Sequence, residues 1–396
     1  MAEAWLIEIA KGFGKFFMNP VFYWAIILTL LAGYSRIRRE RMNFGLKLFD
    51  VFSEWKNTLV LSMVSGLVIS LLFVGVGFVF SYTTILILCA ITILLSLTLR
   101  FTMLSPSYTI GITYIALLFL PLIPINQSLT DWLAIDHINF IGISLLLAVL
   151  LTVEALLLKR NNRSNTFPDL ERGRRGSWMG THHLKKLSII PFFILVPSGA
   201  LQPIAPFWPY FSMNGETFSL ILVPFLLGFD YTVRGSLPEK ASARIARSIH
   251  ILSLVVLLLA LGSIYAGWLS LCAVAVAIIG REYINYQHRV KDQQKTGYFN
   301  RNGRGLKVLG IIPGTPADRL GILAGESIVK VNSRKTDNMD EFYLALQESG
   351  AFFKLEIIGD NGELRFVQGA IYEEDHHELG IITADHPHKE DESRAN

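Results

Sequence analysis

The sequence predicts a multi-pass α-helical membrane domain followed by a small water-soluble α+β domain. Three observations carry that expectation. The 396 residues are 52% hydrophobic and only 17% charged, with a mean hydropathy of +0.43, whereas an ordinary soluble domain carries about 25% charge. The apolar residues gather in long uncharged runs between residues 1 and 280. Charge returns after that point, and the last part of the chain has the composition of a domain that folds in water.

A membrane helix needs about 20 largely apolar residues to cross a hydrocarbon layer of about 30 Å. Candidate segments are 17–34, 59–80, 83–99, 108–125, 140–158, 187–208, 218–233 and 249–280. The last is too long for one ordinary pass and contains Gly262 and Gly267, so it is expected to fold back as two short helices. About seven to nine helices follow for the membrane domain at residues 1–280. Segment 17–34 is expected to remain in the membrane, because it runs into Arg36, Arg38, Arg39 and Arg41 without a small-residue cleavage site. Residues 2–17 read as an interfacial helix.

Basic loops are retained on the cytoplasmic side of a membrane. Arg36, Arg38, Arg39, Arg41, Lys47 and Lys56 crowd one loop, Lys159, Arg160, Arg163, Arg172, Arg174, Arg175, Lys185 and Lys186 a second, and Arg234, Lys240, Arg244 and Arg247 a third. Residues 126–137 and 209–217 carry neither Lys nor Arg. With the basic loops inside and 249–280 a hairpin, the chain emerges in the cytoplasm at Arg281. A linker is expected at 281–303, the soluble domain at 304–383, and a disordered polar tail at 384–396.

Within the soluble part, Leu306 to Ile312 is a strand candidate, and Pro313-Gly314-Thr315-Pro316-Ala317-Asp318 supplies a turn and a short helix start. Gly314 and Gly325 suit positive φ. Asn338 with Glu341 forms a capping box ahead of a helix whose Met339, Phe342, Tyr343 and Leu346 make one apolar stripe. Strands at 352–358 and 363–370 flank Asp360-Asn361-Gly362, a hairpin signal. The run PGTPADRLGILAGESIVKVN resembles the bacterial PDZ pattern, departing from it at Glu326, where Asp is usual. That resemblance implies an extended peptide added as a strand between a sheet edge and a helix. Leu379-Gly380-Ile381 offers the hydrophobic-Gly-hydrophobic loop at the C-terminal end, as a permuted strand order requires. Gly380 and Ile381 then lead the ligand-pairing strand, with Phe342, Tyr343 and Leu346 facing the groove. The competing reading places those helix residues in the core.

No catalytic or metal-binding residues are assigned, and no cofactor or nucleic-acid partner is expected. His377-Glu378 lacks the second His of a zinc protease motif, Pro197-Ser198-Gly199 lacks the first Gly of a rhomboid-like serine site, and Gly228-Phe229-Asp230 falls short of an aspartyl membrane protease. Cys89 and Cys272 read as packing residues, and His182-His183 and His376-His377 as loop residues. Glu154 and Asp230 read as solvated acids near helix ends, paired with Lys159 and Arg234. Pro191, Pro197, Pro203, Pro206 and Pro224 keep open a transporter-like cavity, and a PDZ-containing intramembrane protease or its regulator is the other alternative.

NPVFYW at 19–24 and GYSRIRRERMNF at 33–44, followed by a multi-pass region and a lone C-terminal PDZ pattern, resemble the MinJ family. The resemblance implies a non-enzymatic scaffold of division-site selection in the cell membrane, with its PDZ domain in the cytoplasm and the protein gathered at septum and poles. The implied partners are a DivIVA-type polar scaffold protein, a MinD-type ATPase and other division proteins, beside a PDZ peptide ligand and the lipid bilayer.

Overall fold

A computed structural model of the protein describes residues 2–122, 138–173, 176–203, 208–209, 217–300, 305–348, 350, 352–370 and 379–384. The helices α1 (Ala2–Met18), α2 (Pro20–Phe44), α3 (Leu59–Val76), α4 (Tyr82–Ser96), α5 (Pro106–Phe119) and α6 (Phe140–Lys159) come first. Three strands follow, β1 (Phe167–Arg172), β2 (Trp178–Leu201) and β3 (Phe218–Val233), and then the helices α7 (Pro238–Gly262) and α8 (Leu269–Gln293). Among the described residues, α2, α3, α6, α7 and α8 are long and apolar enough to cross a membrane, while α4 and the stretch Pro106–Leu122 are shorter apolar helices.

Of the segments 187–208 and 218–233, expected as helices, residues 187–201 and 218–233 are corrected here to strands. They form an antiparallel hairpin in register from His182 opposite Val233 to Pro197 opposite Phe218. Both strands are apolar on both faces because both faces are covered, and such a run carries no period of two by which to recognise it. The prolines that suggested broken helices sit where a strand tolerates them. Pro191 faces Pro224, and a residue without an N–H costs nothing at a position whose polar groups point away from the partner strand.

A hairpin buried among membrane helices leaves two rows of backbone groups that lipid cannot satisfy. On the open edge of β2 they are met by α3 and its flanks. The Leu187 amide donates to the Glu54 carbonyl (3.2 Å), the Thr58 hydroxyl to the Leu187 carbonyl (3.4 Å), the Ser70 hydroxyl accepts from the Phe193 amide (2.8 Å), and the Phe80 amide donates to the Leu195 carbonyl (2.9 Å). Gly66 lets α3 approach this closely, since a Cβ there would stand 2.0 Å from the Pro191 carbonyl oxygen. On β3, α1 and α8 are the cover. The Glu8 carboxylate accepts from the Ser219 hydroxyl (2.6 Å), and His288 Nε2 donates to the Thr232 carbonyl (3.0 Å). The stretch read as an interfacial helix is therefore helical, and it packs across the hairpin through Trp5, Ile9 and Gly12.

α6 is the most enclosed of the membrane helices; its Leu147, Leu150 and Leu151 lose all contact with solvent and join residues of α5, α7 and α8 in one core with the hairpin. α7 and α8 fold back on each other through residues 263–268, with Gly280 against Leu252, where the glycines predict the turn, but each is a helix of 25 residues rather than a short one. α8 continues to Gln293, so much of the stretch expected as a linker is helix.

Glu154 is corrected as well. It is fully buried, pairs with the equally buried Arg281 at 2.6 Å rather than with Lys159, and accepts from the Ser105 hydroxyl (2.7 Å). Asp230 meets His183 (3.5 Å) and Lys185 (4.0 Å) rather than Arg234, whose partner is Glu171.

The C-terminal domain comprises β4 (Leu306–Lys307), β5 (Gly310–Ile311), α9 (Pro316–Arg319), β6 (Ser327–Val331), β7 (Arg334–Lys335), α10 (Met339–Glu348), β8 (Phe352–Ile358), β9 (Leu364–Ala370) and β10 (Ile381–Ile382). One sheet runs β4-β6-β8-β9 with β7 on β6, and β10 pairs with β5 in a second. The capping box forms: the Glu341 amide donates to Asn338 Oδ1 (2.8 Å), and the Glu341 carboxylate accepts from the Asp337 amide (2.8 Å). Gly314 and Gly325 take φ of 83° and 96°. Glu326, the departure from the PDZ pattern, accepts from the Leu323 amide (2.9 Å) and binds Arg365 (2.6 Å), which keeps the turn closed.

Candidate peptide-binding groove of the C-terminal domain

β10 is held to β5 by hydrogen bonds that fix which way each peptide group points. The Leu309 amide donates to the Ile382 carbonyl (2.7 Å), the Ile312 amide to the Gly380 carbonyl (2.9 Å), and the Ala317 amide to the Leu379 carbonyl (3.0 Å). In an antiparallel ladder successive residues alternate between the two edges. The N–H and C=O of Ile381 therefore face the side opposite β5, where an added strand would pair with them. Gly380 makes the turn into this strand at φ 80°, and a Cβ there would meet Thr315 Oγ1 at 2.3 Å. Leu379 and Ile381 are buried and anchor the turn in the domain core.

The helix residues divide. Phe342 and Leu346 are buried in the same core as Ile328, Val331, Phe353 and Leu355, so the groove-facing expectation is corrected for both: they hold α10 against the sheet. Tyr343 is only partly buried, and with Met339 one turn earlier it packs at the margin of that core. Tyr343 is thus the member of the expected set on α10 with surface left for a ligand.

Sequence reasoning missed how this domain is mounted. Leu309, Ile312, Ala324, Ile382 and Ala384 pack with Leu48, Leu170, Trp178, Leu237 and Phe299 of the membrane part in one apolar seam. His182, read as a loop residue, lies fully buried in β2 beneath this seam. Its Nε2 donates to the Leu309 carbonyl (2.8 Å) and its Nδ1 faces the Thr166 hydroxyl (2.9 Å). Burial pushes its pKa down to about 4, against the Leu309 bond, so the ring is neutral and both nitrogens are satisfied. Burial also opposes charge on His183, but hydrogen bonds and attraction from Asp169 and Asp230 outweigh it and hold that pKa up at about 9. Arg163 binds both Glu239 (2.7 Å) and Asp360 at the β8–β9 turn (3.1 Å), and Lys240 also reaches Asp360 (3.1 Å). The signal available in the sequence was the pair of adjacent histidines beside a strand-like run.

The residues weighed for catalysis are not brought together. Ser198 lies next to Thr217 at one end of the hairpin, and Asp230 lies near the other, separated by about 40 Å at about 3.3 Å per residue of strand. His376, His377, Glu378 and the tail 385–396 lie outside the described residues. Among the described residues no group of three or more His, Cys, Asp or Glu is placed to hold a metal ion. Cys89 and Cys272 are free and partly buried.

Comparison with known proteins agrees with this geometry. A family model described as a PDZ domain matches residues 307–356. The chain is 35% identical over 382 residues to the cell division topological determinant MinJ of Bacillus subtilis (strain 168), covering 96% of each chain. It is 24% identical over 387 residues to a probable cell division topological determinant MinJ of Lacticaseibacillus paracasei, covering 92% of this chain and 96% of that one. A polytopic membrane body carrying one C-terminal PDZ domain, alike along nearly the whole length of both chains, places this protein in the MinJ family.

Proposed function

We propose that the chain is a membrane-held, non-enzymatic adaptor of division-site selection, whose PDZ domain works in the cytoplasm. The observation that carries this reading is the full-length similarity to a cell division topological determinant, joined to a PDZ domain in which, among the described residues, β10 pairs with β5 alone. Charge supports the cytoplasmic side. Arg39 binds Asp169 (3.1 Å) and Arg163 binds Glu239 and Asp360, so the three Lys- and Arg-rich loops and the PDZ domain share one face, which the positive-inside rule assigns to the cytoplasm. On this reading a DivIVA-type scaffold and a MinD-type ATPase are recruited to septum and poles. A PDZ contact of micromolar strength, about −8 kcal/mol, then gains from confinement to the membrane.

Reporter fusions at the C-terminus test the side: an active cytoplasmic reporter is expected, and an active periplasmic one overturns the placement. Co-purification of the full chain with division regulators tests recruitment, with Ile381→Pro as the variant. Proline removes the donor from the outward side of β10 while leaving in place the bonds that the Leu309, Ile312 and Ala317 amides donate to the Ile382, Gly380 and Leu379 carbonyls. Partner loss with the PDZ domain still folded supports the reading, and unchanged recruitment removes the groove from it.

A further inference from the structure

The PDZ-side ends of α7 and α8 enclose a crevice of about 260 Å³ lined by Arg244, Arg247, Ser248, Gln287, Lys291 and Lys295. Its lining carries four cations and one acid, Asp292, and that acid is already committed. Asp292 is buried and accepts from the amides of Arg234 (2.8 Å) and Gly235 (3.1 Å). Among the described residues Arg247, Lys291 and Lys295 make no salt bridge, and Arg244 is oriented by the Ser236 hydroxyl (2.9 Å) and the Lys240 carbonyl (3.3 Å). Like charges gathered without counter-charges repel one another, so the crevice is built for an anion.

The surroundings say which kind. Arg244, Arg247, Ser248 and Ile251 recur at helical spacing on one face of α7, and that face continues into the exposed Leu254, Val255 and Leu258. On α8 the exposed Tyr283 accepts a hydrogen bond from Gln287 of the crevice lining (3.3 Å), and tyrosine favours the boundary between acyl chains and headgroups. An anion in the crevice thus has an uncovered apolar wall beginning one helical turn away, as only a ligand with acyl chains would use. Basic pockets between membrane helices suit lipid phosphate.

We infer that this crevice binds the phosphodiester headgroup of an anionic phospholipid of the PDZ-side leaflet, its acyl chains lying along α7. Arg247 and Lys291 supply the direct charge, and Arg244 and Lys295 close the sides.

The test uses the full chain in detergent and measures retained lipid by native mass spectrometry, with phosphatidylglycerol, phosphatidylcholine and inorganic phosphate as probes. Phosphatidylglycerol is expected to bind at least tenfold more tightly than phosphatidylcholine. The triple variant Arg244→Gln/Arg247→Gln/Lys291→Gln loses about a hundredfold of that affinity, at about fivefold per charge, and Lys330→Gln/Lys354→Gln on the PDZ surface loses none. Arg247→Gln alone, which breaks no intramolecular bond described here, reads out about fivefold even if the triple variant fails to fold. Equal retention by wild type and Arg247→Gln overturns the inference. So does displacement of the lipid by millimolar inorganic phosphate, which would make the crevice a site for a free anion.

Discussion

Removing one half of the Glu154–Arg281 pair is expected to be the most damaging single change in the membrane core. Both side chains are fully buried, with 2.6 Å between Arg281 Nη2 and Glu154 Oε1. At an effective dielectric constant of about 20 that separation corresponds to a gross attraction of about 6 kcal/mol. Several kcal/mol for dehydrating each ion are set against it. Arg281→Met leaves Glu154 buried with only the Ser105 hydroxyl bond (2.7 Å), and a buried charge stripped of its partner costs about 3–5 kcal/mol. Glu154→Leu strands the guanidinium in the same way. The double variant Glu154→Leu/Arg281→Met removes both charges, and its stability should return to within about 1 kcal/mol of wild type or exceed it. The assay is reversible unfolding of the full chain in neutral-lipid bicelles, run as a double-mutant cycle. Singles within about 0.5 kcal/mol of wild type, or a double variant as unstable as the sum of the two, would refute the reasoning.

Other outcomes follow from the geometry. Gly66→Val drives α3 off the edge of β2 by its clash with the Pro191 carbonyl and should abolish the monodisperse peak on size exclusion, while Gly75→Ala, with nothing within 4 Å, should be silent. Asn338→Ala removes the N-cap of α10 and should cost about 1 kcal/mol, read as faster hydrogen exchange across Met339–Glu348. His183 has its pKa raised from 6.5 to about 9, so its stabilising contribution is complete below about pH 6.5 and is lost as pH rises through about 9; a thermal-unfolding series over that window should flatten in His183→Gln. His182, lowered to about 4, acts oppositely: its contribution holds above about pH 6.5 and fades as pH falls towards 4, and amide exchange at Leu309 should quicken there.

Local chemistry made the C-terminal domain legible. Asn338 and Glu341 announce a cap, Asn361-Gly362 a turn, and the two glycines at positive φ are demanded by the pattern itself, so α10, β8 and β9 emerge within a residue or two of expectation, whereas the one strand expected at Leu306–Ile312 is two short ones, β4 and β5, in different sheets. The helix stripe was less informative, because Phe342 and Leu346 satisfy a core and a groove equally well until burial is known. In the membrane part, run length misled. Segments 187–208 and 218–233 have the apolar length of a spanning helix, and a strand covered on both faces shows no alternation. The β-branched residues within them were the available sign of strand. Contacts distant in sequence left little mark: nothing near Glu154 points to Arg281, and the adjacent histidines mark His182 without naming Leu309 as its partner.

The order of segments along the chain gives the sealed hairpin a further meaning. α1 and α3, which cover β3 and the edge of β2, are made long before either strand, whereas α8, with His288, comes after both. A nascent hairpin entering the bilayer thus finds two of its three covers already in place. Loss of residues 2–18 would uncover the part of the hairpin packed under Trp5, Ile9 and Gly12 and leave Ser219 without Glu8, so shortening the N-terminus should send the newly made chain to quality-control proteolysis while its PDZ domain is still unmade.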